Sequence, residues 1–119
     1  MKTNITQKEV KSNISAVLTS YFGVKPEDAS KAQIYRATCM ALRDLLTNKR
    51  VNFKKVCHEQ NAKQVYYMSM EFLLGRSLRN HLFNLGITDV FTKAVESFGV
   101  SMDEIYAFEP DAGLGNGGL

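Results

Sequence analysis

An α/β chain, mostly helical and carrying one strand of a parallel sheet, is the fold class this sequence predicts, on three observations. Apolar residues recur at steps of three and four through most of the chain. One stretch, 65–70, breaks that period and is apolar at nearly every position, as a strand buried on both faces is. Glycine and proline stand where the helical stretches should stop.

The first helix is expected over 7–22, with a stripe made by Val10, Ile14, Val17, Leu18, Tyr21 and Phe22. Gly23 sits where that helix ends, and Pro26 follows as a breaker. A longer helix should begin near Ser30 and bury Ile34, Ala37, Ala41, Leu42, Leu45 and Leu46. Its pattern continues weakly through Val51, Phe53 and Val56 before the polar stretch 58–63 closes it. The strand 65–70 comes next, with Glu71 at its end. One strand cannot make a sheet alone, so its partners lie either in other parts of this sequence or beyond the chain.

After Gly75 the helical period returns through Leu78, Leu82, Phe83 and Leu85, stopped by Gly86. A further helix uses Val90, Phe91, Ala94, Val95 and Phe98, opened by Thr88 or Asp89 as N-cap and stopped by Gly99. Ser101 with Glu104 three residues on matches a capping box and starts a short helix to about 108, ended by Pro110. No internal repeat or low-complexity linker divides the chain. Its organisation is a helical region, 1–62, followed by 63–119 with the strand, the later helices and a glycine loop.

At 119 residues the chain suits one domain, or a piece of a larger one, and 45% hydrophobic with 23% charged residues is ordinary globular composition. No apolar run exceeds four residues, whereas a membrane helix needs roughly 20. The start, 1–13, alternates polar and charged residues with no apolar stretch like that of a signal peptide. A soluble, cytoplasmic protein with no membrane partner is expected. Net charge is +3, divided as +6 over 1–60 and −3 over 61–119. The densest basic stretch is Lys49, Arg50, Lys54 and Lys55. With only Phe53 between the pairs it reads as a solvated helix face before it reads as a nucleic-acid patch, and no nucleic-acid partner is expected.

Cys39 and Cys57 form no CxxC or zinc-ligand spacing and read as reduced thiols filling space. His58 and His81 lack ligand partners at suitable spacing, so no metal is expected. Ser69 and Ser77 have no nucleophile-elbow context. Glu71 suits a catalytic carboxylate about as well as a structural hydrogen-bonding one. The aromatic cluster Tyr66, Tyr67 and Phe72 reads as core rather than as a stacking platform, because the strand pattern buries it.

The tail is the most informative segment. Four of the last seven residues are glycine, and Gly113, Gly115 and Gly118 fit G-x-G-x-x-G. Glycine permits positive φ and lets N–H groups approach an anion closely, which is how loops cradle phosphate. A dinucleotide fingerprint needs a strand before the loop and a helix after it; neither is legible here. By composition alone a flexible glycine tail is the commoner reading. The missing completing helix makes the stop at Leu119 read as a truncation.

Two segments taken together resemble one family. YYMSMEFLLGR at 66–76 is similar to the YYxSxEFxxGR signature of glycogen and maltodextrin phosphorylases, and EPDAGLGNGGL at 109–119 is similar to that family's ExDAGLGNGGLGR loop, cut before its last two residues. The resemblance implies a two-Rossmann-domain glycosyltransferase, of which this chain is an N-terminal fragment. It also implies an enzyme that uses orthophosphate to cleave terminal α-1,4 bonds of a glucan, releasing glucose 1-phosphate, with pyridoxal phosphate as cofactor and a homodimer as the assembly. By the same resemblance, Gly117 and Gly118 belong to the loop that approaches the substrate phosphate, and the Leu119 backbone lies near the sugar. Leu73, Gly75, Arg76, Gly115 and Asn116 are implied to lie near the cofactor. Leu73 stands where animal members often carry a tyrosine, so a hydroxyl contact from that position is absent. Members are far longer than this chain, and the cofactor lysine is not in it, so the chain alone is expected to be inactive. The rival expectation is a stand-alone, non-catalytic interaction module that keeps the phosphorylase N-terminus. An unrelated nucleotide-binding fold rests only on the G-x-G-x-x-G match.

Overall fold

The computed structural model describes residues 4–114 and is mostly helical, with no strand among the described residues. Helix α1 spans Gln7–Ser20 and α2 spans Lys31–Glu59, with a 3-10 turn at Pro26–Asp28 between them. Helices α3 (Leu78–Asn84), α4 (Thr88–Glu96) and α5 (Met102–Phe108) follow.

Local chemistry fixes the long helices at their starts. The Thr6 hydroxyl accepts the Glu9 amide at 3.2 Å while the Glu9 carboxylate accepts the Thr6 amide, and Ser30 with Gln33 repeats the reciprocal pattern. Each box satisfies donors that the first turn leaves without intrahelical partners. Both boxes are written in the sequence as T-x-x-E and S-x-x-Q, signals that apolar periodicity by itself does not use. At α5 the Ser101 hydroxyl accepts the Glu104 amide as expected. At α4 the expectation fails: the N-cap is Ile87, with no side-chain cap, and Thr88 is already helical. Ile87 is fully buried, so packing of its side chain sets where that helix starts.

One core joins the helices. Val10, Ile14 and Leu18 of α1 pack with Ile34, Ala37, Ala41 and Leu42 of α2, with Leu82 of α3, and with Phe91, Ala94 and Val95 of α4. Met102 and Ile105 of α5 complete it. Helix α1 lies against α2 and α4, α2 against α5, and α3 against α4. Thr38, a fully buried polar residue, donates to the Ile34 carbonyl at 2.7 Å, so it enters the core satisfied. Lys31 pairs with Glu104 across α2 and α5, and that hydrogen bond, with help from Ser101, holds the Glu104 carboxyl below the ordinary carboxylate range.

The structure corrects four expectations. Residues 65–70 form no strand and are not buried: Val65 is 92% exposed and Met68 89%. A strand needs a neighbour to receive its ladder bonds, and the five helices offer side-chain grooves rather than backbone edges. Tyr66 and Tyr67 are therefore exposed instead of core, while Phe72 is half-buried and meets the Tyr67 ring edge to face. Helix α2 does continue as expected, to Glu59, but Val51, Phe53 and Val56 lie in solvent because they fall beyond the last core contact of that helix. Tyr21, the C-cap just past the end of α1, and Phe83 are exposed as well.

The fold predicts a sharp contrast in stability. Phe91→Ala removes a fully buried ring and should lower the unfolding free energy by about 3–5 kcal/mol. Phe83→Ala should change it by less than about 0.5 kcal/mol. Urea titration followed by circular dichroism reads both, and equal effects would refute the packing described.

Candidate functional site

The two motif segments meet in space. Glu109 directly follows α5 and is half-buried, and its carboxylate reaches the start of α3. Its Oε1 accepts the Ser77 amide at 2.8 Å and the Leu78 amide at 3.1 Å, and its Oε2 accepts the Leu78 amide at 3.0 Å. The Ser77 hydroxyl donates to Oε1 at 3.3 Å. Amides at a helix start have no intrahelical acceptor, and a carboxylate there gains both hydrogen bonds and the favourable end of the helix dipole. Three residues further on, the Ala112 amide donates to the Gly75 carbonyl at 3.1 Å. The segment 109–112 is thus closed onto the Gly75–Arg76 turn from two points.

Glycine is required at that turn. Gly75 has φ +60°, a left-handed conformation that side chains rarely adopt, and a Cβ built there would meet nothing within 4 Å. The constraint is backbone torsion alone. Gly113, at φ +62°, begins the glycine run, and its amide donates to Asp111 Oδ1 at 2.7 Å. That bond closes an Asx-type turn of the sort that steers a chain into a loop.

Arg76 extends from the closed turn and is exposed, pairing with no acid among the described residues. With Arg79, Asn80 and Phe83 it lines a shallow hollow. Arg79 is already engaged: its guanidinium lies 4.4 Å from the centre of the Tyr106 ring and 3.9 Å from Asp103. Leu73 and Leu74 precede the turn with their side chains largely in solvent. Of the residues singled out from sequence, Gly75 and Arg76 come together with the opening of the glycine run, and Leu73 lies on the same strand-less segment without a bond into it. Gly115, Asn116, Gly117, Gly118 and Leu119 lie outside the described residues.

The remaining candidates are dispersed. Ser69 bonds only locally, its hydroxyl accepting the Glu71 amide at 3.0 Å. His81 places Nδ1 2.8 Å from the Ser77 carbonyl, and His58 sits in the last turn of α2. No group of three metal-ligating side chains gathers among the described residues. Cys39 packs against the core beside Tyr35, where burial pushes its thiol up and the Tyr35 phenol up to about 12. Raising a thiol's pKa suppresses the thiolate, which suits a space-filling role. Arg50, Lys54 and Lys55 stand exposed on the outer half of α2, and Arg50 and Lys54 border a hollow shared with Phe53, Cys57, His58, Lys63 and Tyr66.

Glu109 is the residue that sequence reasoning passed over. It lies 32 positions from Ser77, so no local pattern links the two. Its only signal is its place at the head of the second motif.

A helical scaffold thus closes the segment leading into the glycine motif onto an arginine-bearing turn. No family model matches the chain. Among known proteins it is 43% identical over 79% of its length to a glycogen phosphorylase of Chlamydia pneumoniae, and 35% identical over 99% to one of Pasteurella multocida. It is 42% identical over 93% of its length to the α-glucan phosphorylase H isozyme of Vicia faba. The chain belongs to the glycogen phosphorylase family. It spans 11–14% of the length of these curated relatives.

The geometry at Gly75 makes its own prediction. Gly75→Ala should cost about 1 kcal/mol through backbone strain, Gly75→Asn less, and Gly75→Val more, because asparagine tolerates positive φ and β-branched residues do not. Thermal melts of the three variants rank them. An order that follows side-chain volume instead would place the cause in packing.

Proposed function

We propose that this chain is part of an α-1,4-glucan phosphorylase, in which orthophosphate cleaves the terminal α-1,4-glucosidic bond and releases glucose 1-phosphate. The observation that carries the reading is the closure of the second motif onto the first, through Glu109 at Ser77 and Leu78 and through Ala112 at Gly75. A phosphorylase has to gather phosphate-binding backbone and a cation at one place, and this closure brings the start of the glycine run to the Gly75–Arg76 turn. Preorganised N–H donors stabilise anionic oxygens without reorganising when charge develops.

The donor set fits a phosphate-bearing cofactor such as pyridoxal phosphate. Two nearby acids are turned into the backbone, Glu109 onto α3 and Asp111 onto Gly113, while the Arg76 guanidinium remains exposed. Arg76 would hold such a group electrostatically, and glycine amides would complete its cradle. When bound, the cofactor supplies a phosphate that exchanges protons with the substrate phosphate. The roles proposed for Gly115, Asn116, Gly117, Gly118 and Leu119 follow from the family motif.

The exposed run 65–70 supports placing this chain within a larger parallel sheet of a two-Rossmann-domain enzyme, where a neighbouring strand would cover it. The reading carries with it a cytoplasmic homodimer that acts on glucan and orthophosphate. No helix among the described residues is long and apolar enough to cross a membrane. The 119-residue chain by itself is inactive, since the family's cofactor lysine has no counterpart in its motifs.

The test is phosphorolysis of a maltooligosaccharide, followed as glucose 1-phosphate. The longest protein encoded with this segment should release it, and the 119-residue chain should not. Absence of product from the longer protein, loaded with pyridoxal phosphate, would refute the proposal and favour the non-catalytic module.

A further inference from the structure

We infer that residues 62–74 form a strap whose conformation is uncoupled from the helical core, so that it can be rebuilt as a strand without unfolding α1–α5. The uncoupling is independent of the phosphorylase reading above; the second conformation, taken up in a longer protein, rests on that reading.

The core is made by two pieces that are not neighbours in sequence. Among the described residues, its buried and partly buried hydrophobic members all come from 5–46 or from 78–106. Helix α2 leaves the core after Leu46 and runs on to Glu59 without adding to it. With no core member between 47 and 77, a change of backbone there opens no cavity among the helices, and cavities are what make core changes costly. Ile14, Leu18, Leu82, Ile87, Phe91 and Ile105 are at most 1% exposed while the strap lies in solvent, so the core is sealed without it.

Both ends of the strap are pinned to that sealed unit. In front, the Ala62 amide donates to the Cys57 carbonyl at 2.9 Å across Asn61, whose left-handed φ of +55° turns the chain off the helix. Behind, the Gly75 carbonyl accepts the Ala112 amide at 3.1 Å, and the Ser77 amide donates to Glu109 Oε1 at 2.8 Å. Between the pins the strap carries local bonds, Tyr66 to Gln64 and Ser69 to Glu71, and a ring contact of its own, Tyr67 with Phe72. Exposed neutral bonds of this kind cost little to exchange for others. Val65, Tyr66, Tyr67, Met68 and Met70 are 78–92% exposed, so the segment has the composition of a strand and no ladder to break. Pairing would bury side chains that now stand in water, and pinned ends reduce the ordering it costs.

Hydrogen exchange and urea titration of the 119-residue chain test the uncoupling. Amides of 65–70 should exchange within about tenfold of an unstructured peptide, and those of Ile14, Leu18, Ala41 and Phe91 at least about a thousandfold slower. Met68→Pro removes an amide that a ladder would use, and Tyr67→Ser removes a strand-favouring ring. Each should leave the ratio of folded to unfolded chain within about twofold of the parent, as changes outside a core do. A loss as large as that of Phe91→Ala in either variant, protection of 65–70 equal to that of the helices, or the absence of a cooperative transition in the parent chain would overturn the inference. Exchange on the longest protein encoded with this segment tests the second conformation: 65–70 should gain about a hundredfold protection or more over the 119-residue chain. Exchange as fast as in the shorter chain would overturn it. Protection without release of glucose 1-phosphate would sink the enzyme reading and leave the strap standing, whereas product without protection would do the reverse.

Discussion

A single carboxylate, with two oxygens facing two backbone amides and a hydroxyl, joins segments 32 residues apart. Helix α3 is only seven residues long and carries no side-chain cap of its own from Ser77. Short helices are marginal in isolation because their first turn fixes several dihedrals for few hydrogen bonds. Glu109 supplies what Ser77 does not, satisfying donors at the helix start with a full negative charge. Together with the packing of Leu78 and Leu82 in the core, where α5 presents that side chain fixes the start of α3 and the turn that precedes it.

The rest of the molecule divides by how its backbone is satisfied. Helices α1 and α2 close their own hydrogen bonds and seal their starts with reciprocal boxes, so they need partners only for their apolar faces. Segment 62–74 has neither a ladder nor a helix, and carries local bonds such as Ser69 to Glu71. Its apolar side chains stand in water because burying them would also bury unpaired amides and carbonyls, which costs more than the side chains gain. An apolar surface of this kind, running from Val65 to Leu74, is unusual for an isolated domain and is the feature that most calls for a neighbour.

This division also explains what the sequence made legible. The five helices, their stripes and the stops at Gly23, Gly86 and Gly99 could be read because a helix's hydrogen bonds are local and its period is set by its own geometry. The composition of 65–70 was equally plain, with its aromatic and β-branched residues. Its burial was not, because a strand's energetics belong to whatever pairs with it. The site was half legible for the same reason. The motifs could be seen at Gly75, Arg76 and the glycine run, whereas the bond that unites them spans three helices. Nothing in the neighbourhood of Glu109 announces its partners, and α4 begins at Ile87 for a packing reason that cap preferences do not capture.

Charge makes the same point about position over composition. Residues 61–119 carry seven acids and a formal −3, a poor endowment for meeting phosphate. Four of those acids are committed within the fold: Glu104 to Lys31, Asp103 to Arg79, Asp111 to the Gly113 amide and Glu109 to the start of α3. An acid that accepts backbone donors or meets a guanidinium has its field largely compensated nearby, while an exposed guanidinium does not. Arg76, by contrast, is exposed at the turn and pairs with no acid among the described residues. The carboxylate that closes the site is one of those compensated in this way. The bonds that tie 109–112 to the Gly75–Arg76 turn and the bonds that compensate the acids there are thus largely the same ones.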